Sequence, residues 1–175
     1  DFRAVTHQAF GCDTSWGSRI CRETILPRLM KRYAAEGTTD ANLGCVDILL
    51  GIPRDVDYSS ILTALDEGLQ LRPARQSGTP STKVADDRTL VEILGKYWEV
   101  QRDDTTLNRI LAKLGDSKAI AYATRKFGDP SEDERKRLDY LRLFDEVAET
   151  PPVTPLLKII ESDPSSNVQA AAIDV

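Results

Sequence analysis

Apolar residues recur at helical spacing in segment after segment of this chain, and the alternation expected of strands is almost absent. Tyr58, Ile61, Leu62, Leu65 and Leu69 form one stripe, and Leu90, Val91, Leu94, Tyr97 and Trp98 another. Leu107, Ile110, Leu111 and Leu114 repeat the spacing, as do Val153, Leu156, Leu157 and Ile160, and then Val168, Ala171, Ala172 and Val175. Ile120, Ala123 and Phe127 make a shorter stripe. Residues three and four apart share a helix face, so each segment carries one face that a neighbour must cover. The pattern predicts an all-α chain of about nine helices, each roughly 10 to 18 residues long, joined mostly by short turns.

The punctuation agrees. Asp40, Asp55, Asp87 and Asp104 stand where N-caps are wanted, close to the positive end of a helix dipole. Ser131-Glu132-Asp133-Glu134 has the form of a capping box and opens a segment carrying Leu138, Leu141, Phe144 and Ala148. Gly37, Gly51, Gly115 and Gly128 fall where helices should stop. Pro27 allows two readings: a helix starting near Thr24 with the proline in its first turn, or a longer helix kinked there.

The expected organisation is one helical-repeat domain over residues 1–175. It comprises N-terminal helices over 1–72, an exposed loop over 73–85, rich in Pro, Gly, Ser and Thr, and repeats over 86–175. That loop is either a bland connection or a partner-binding element. The chain opens on Asp1-Phe2-Arg3 and stops inside a helical pattern, so it is expected to be a piece of a longer protein.

Asp129-Pro130-Ser131 and Asp163-Pro164-Ser165 lie 34 residues apart, each between two apolar-striped segments. Such a period signals stacked helix pairs, because a lone pair cannot bury both its faces. Residues 155–164, Pro-Leu-Leu-Lys-Ile-Ile-Glu-Ser-Asp-Pro, followed by Asn167-Val168-Gln169-Ala170-Ala171-Ala172, resemble a HEAT repeat. The resemblance is closest over 151–175, looser over 86–150 and weakest before residue 72. It implies a right-handed α-α superhelix of HEAT/ARM-like repeats. Gln169 stands where that family usually places Arg, so its inter-repeat Asp–Arg ladder finds no support at that position. The order of segments, from Leu26–Gly37 through Leu90–Trp98 to the repeats, also resembles the helical region of large multidomain planctomycete haem-binding and dehydrogenase-like proteins. That resemblance implies a spacer between a propeller-like domain and a cytochrome c-type domain, in an exported or periplasmic protein. No CxxCH sequence occurs, so haem attachment does not carry over.

Chemistry-bearing patterns are sparse. His7 is the single histidine, and GxSxG, HExxH, CxxC and the phosphate-loop motifs are missing. Haem ligation by His7 with Met30 is formally available, though His7 reads as an ordinary helix or surface residue. Cys12, Cys21 and Cys45 match no zinc or redox spacing; one bridge with a free thiol stays open, and Cys45 reads as a core residue. Asp86-Asp87, Asp103-Asp104 and Glu132-Asp133-Glu134 stand at helix starts, where capping accounts for them without a cation. Tyr97-Trp98 ends a buried stripe and so reads as core, while Trp16 reads as a staple at a helix start.

No catalytic, cofactor-binding or metal residue is expected. Net charge is −5, and the basic clusters Arg28, Lys31, Arg32 and Arg135, Lys136, Arg137 read as solvated helix faces. Nucleic-acid binding rests on phosphate neutralisation and is therefore disfavoured. No apolar run is long enough to cross a membrane. Three functions remain in order: a non-catalytic scaffold or spacer that meets a protein partner or neighbouring domains, an accessory domain of a fused redox enzyme, and a nucleic-acid-binding repeat protein.

Overall fold

The computed structural model describes residues 16–53, 55–72, 87–146 and 152–175. The 73–85 loop, His7, Cys12, Asp86 and Ala148 lie outside the described residues. Within them the chain is all-helical, with nine α-helices. These are α1 (Leu26–Glu36), α2 (Thr39–Leu50), α3 (Ser59–Gln70), α4 (Arg88–Val100), α5 (Thr105–Lys113), α6 (Ser117–Phe127), α7 (Glu134–Glu146), α8 (Val153–Ser162) and α9 (Ser166–Asp174). Two compact units result, Asp1–Val100 and Gln101–Val175, so α4 belongs with the N-terminal helices.

Pro27 lies in a first helical turn, that of α1, as one of its readings has it, though that helix starts at Leu26 and not near Thr24. A π-helical turn, Cys21–Ile25, runs directly into that helix. The Leu26 amide reaches back five residues to the Cys21 carbonyl. The wider turn makes room where a proline would otherwise crowd the preceding carbonyls.

In the first unit α1 packs chiefly against α3, and α2 packs against both α1 and α4. Glycine sets the first spacing: a Cβ on Gly68 would lie 2.5 Å from both Ala34 Cβ and the Lys31 carbonyl oxygen. Gly44 likewise faces the Tyr33 ring, whose Cδ2 would be 2.9 Å from an added Cβ. Leu26, Met30, Cys45, Leu49, Ile61 and Leu65 fill the interior. Trp16 is also buried, its indole nitrogen close to Gly51 at the end of α2.

In the second unit α5 meets α6, α6 meets α7 and α8 meets α9, while α7 also packs on α5 and α9. Both Asp-Pro-Ser turns fall inside helix pairs, the first between α6 and α7 and the second between α8 and α9. Leu107, Ile110, Leu111 and Leu114 are all buried, as their spacing requires. Gly115, at φ +82°, closes α5: its amide donates to the Ala112 carbonyl and the Asp116 amide to that of Leu111. Asp116 then caps α6 through the Ala119 amide.

Several local expectations change. The α7 cap is Asp133, which accepts from the Lys136 amide, because Ser131 is drawn into a turn with Asp129 instead. Thr38, not Asp40, caps α2, and Asp57, not Asp55, accepts from the Ser59 amide ahead of α3. Asp104 caps α5 as expected. Gly51 and Gly128 end their helices with right-handed backbone. On α8 the covered face runs through Leu156 and Ile159, leaving Val153 56% and Leu157 51% exposed. The apolar stripe there is wider than the surface α9 covers.

Candidate functional site

A side chain on a helix leans toward its N-terminus, so a residue at the fourth position can reach the turn region before the helix. Four helices place a polar residue there: Asn42 on α2, Asn108 on α5, Arg137 on α7 and Gln169 on α9. Arg137 was expected on a solvated basic face, yet its side chain is 2% exposed. Its Nη1 donates to Asp163 Oδ1 at 3.1 Å, its Nη2 to Asp163 Oδ2, and its Nε to the Phe127 carbonyl at 2.9 Å. The guanidinium holds the Asp163 carboxyl below the usual carboxylate range, chiefly through these hydrogen bonds. Gln169 donates to the Asp163 carbonyl at 3.1 Å. The Asp163 turn is thus held from its own helix and from the preceding pair.

The first unit builds a parallel arrangement. Asn42 Nδ2 donates to Asp87 Oδ1 at 2.5 Å. Arg72 joins them, donating to Asn42 Oδ1 at 2.8 Å, to Asp87 Oδ1 at 3.2 Å and to the Ala34 carbonyl at 2.6 Å. That guanidinium lies beside Gly37, whose φ of +63° ends α1, so it also meets the negative end of the α1 dipole. Asp87, which immediately precedes α4, thus accepts from both Asn42 and Arg72.

A third cluster is more exposed. Tyr122 donates to Asp103 Oδ1 at 2.7 Å, and Lys126 pairs with Glu132 and stands 3.7 Å from Asp103. The Tyr122 hydrogen bond, with Lys126 nearby, draws the Asp103 carboxyl down; burial, with that same bond, raises the phenol. Lys126 likewise lowers Glu132. These groups tie the turn before α5 to the turn before α7.

Other sequence candidates resolve into packing. Met30 and Cys45 are fully buried, and burial pushes the Cys45 thiol up to about 12. Trp98 is buried, while Tyr97 donates to the Leu49 carbonyl at 2.9 Å and meets the Tyr58 ring edge-on. Lys31 pairs with Glu67 at 2.8 Å. Among the described residues no group of three or more His, Cys, Asp or Glu is placed to hold a metal, and no helix is long and apolar enough to cross a membrane.

The second unit carries a groove of about 450 Å³ between α6 and α8. Ile159 forms buried floor, Pro130, Pro155 and Pro164 contribute apolar wall, and Arg125 and Lys158 stand exposed at its sides. Nothing in the sequence announced it, since it depends on two helices that α7 separates in the chain. Compared with known proteins, the chain matches no protein family, no curated protein and no solved structure.

Proposed function

We propose that this chain is a non-catalytic helical-repeat scaffold that presents a folded surface to a protein partner or to neighbouring domains. Within Gln101–Val175 the reading takes the helix pairs as HEAT-like and stacked in a right-handed α-α superhelix. The observation that carries it is the buried Arg137–Asp163 pair, which links one helix pair to the turn of the next across the 34-residue repeat. Interactions between neighbouring units are what give a solenoid its rigidity. The side chains of Arg137, Asp163, Arg72, Asn42 and Asp87 are engaged with one another in two such clusters, which favours a structural role for them. With Arg137 buried and paired, the Arg135–Arg137 cluster offers less to a nucleic-acid backbone than its sequence suggests.

Affinity capture with the purified chain, followed by reconstitution from purified components, tests the reading. A discrete protein that rebinds stoichiometrically and leaves chemically unchanged is the expected result. A partner that is the remainder of a larger polypeptide would make the chain a spacer, as its resemblance to the planctomycete proteins implies. Capture of no protein or domain at all would remove the reading.

A further inference from the structure

The α6/α8 groove combines features that bear on what it could hold. Its size falls within the range of pockets that take a small molecule or a few residues of extended chain, and a helix about 10 Å across would need more room. Its apolar surface comes from Ile159 and three proline rings, which lose little conformational freedom when a ligand settles on them. Its charge is set by Arg125 from α6 and Lys158 from α8. Among the described residues neither is in an ion pair; Arg125 rests over the Tyr122 ring, 5.2 Å from its centroid. Among the described residues the carboxylate in the lining, Asp163, is already neutralised by Arg137. A chain of net charge −5 therefore carries here a groove whose uncompensated charge, among the described residues, is positive.

Resting on the scaffold reading, we propose that this groove is the partner-binding site and that it takes a short, extended, acidic segment of a partner protein. One apolar side chain of that segment lies on Ile159 and the prolines, and flanking carboxylates meet Arg125 and Lys158. Exposed cations on either side of an apolar floor give such a segment orientation and attraction, while the floor supplies burial.

The test uses the full 175-residue chain and fluorescence anisotropy with fluorescein-labelled hexapeptide pools. One pool carries Asp and Glu around a central Leu, Ile, Val or Pro; the other carries Asn and Gln instead. The acidic pool is expected to bind saturably and the amide pool not to. The double variant Arg125→Glu/Lys158→Glu, altered only at exposed positions and checked by circular dichroism, should bind the acidic pool at least about ten-fold more weakly. Absence of saturable binding, equal binding by the variant, or complete displacement by inorganic phosphate at equal charge would overturn the proposal, the last by revealing a small-anion site. Repeating the affinity capture with this variant separates the two claims. A partner retained by the variant removes the groove and leaves the scaffold reading standing, whereas failure of the wild-type chain to capture anything removes that reading itself.

Discussion

Arg137 on α7 and Asp163 in the turn before α9 form a bidentate ion pair with side-chain exposures of 2% and 5%. The contact joins α7 to the turn between α8 and α9. Burying both charges has a desolvation cost, offset by the paired geometry and by the additional bonds to the Phe127 carbonyl and from the Ser165 amide. Removing one member leaves that cost uncompensated.

Asp163→Ala is accordingly expected to destabilise the protein by about 3–5 kcal/mol. Replacing both members with apolar residues, Arg137→Met with Asp163→Leu, should lose much less. Urea denaturation followed by circular dichroism measures both. Equal losses in the two variants would mean that the pair contributes through shape and not through charge.

The same pair makes stability depend on acid. Arg137 depresses the folded Asp163 pKa, so its contribution is complete above the unfolded carboxylate value, about 4, and is lost as pH falls through the lower folded value. Asp103, Asp129 and Glu132 shift in the same direction. Asp163→Asn should therefore show a shallower fall in stability below about pH 4 than the parent chain, measured by urea midpoints across that range.

Two helical glycines should respond oppositely to alanine. Gly68→Ala drives a methyl into Ala34 and the Lys31 backbone and is expected to cost about 1–3 kcal/mol, outweighing its helix propensity. Gly95, inside α4, has nothing within 4 Å of an added Cβ. Gly95→Ala should stabilise by up to about 1 kcal/mol, and thermal melts of the two variants should move in opposite directions.

Cys45 should resist a thiol reagent such as Ellman's in the native protein, because it is fully buried and its thiol is pushed up to about 12. Cys21 is partly exposed and should react first. Mass spectrometry of the labelled peptides distinguishes the two sites. Native-state labelling of Cys45 at the rate of Cys21 would place α2 at the surface.

Periodicity made the helices legible because a buried stripe is a local property: Leu107 through Leu114 could be read without knowing what covers them. Caps were half legible, since Asp104 had no local rival whereas Ser131 had Asp129 within reach. The links between helices were not legible. Gln169 looked like a missing ladder position, but the lead into α7 is two residues longer than the lead into α9, so Arg137 occupies the corresponding fourth position of the helix after the earlier Asp-Pro-Ser turn. Arg72, Asn42 and Asp87 are brought together across 45 residues of chain, and Gly68 reads as a weak helix former until Ala34 is seen against it. Each of these depends on which helix lies beside which, and a face pattern leaves that choice open.

The scaffold account is tested most directly by sedimentation velocity of the reconstituted complex between a captured partner and two forms of the chain, the parent and Leu111→Asp. Leu111 is wholly buried, so a charge there should unfold Gln101–Val175. The account predicts one stoichiometric complex with the parent chain, none with the variant, and a partner unaltered in mass. A partner that returns chemically converted, or that binds the unfolded variant equally well, would contradict it.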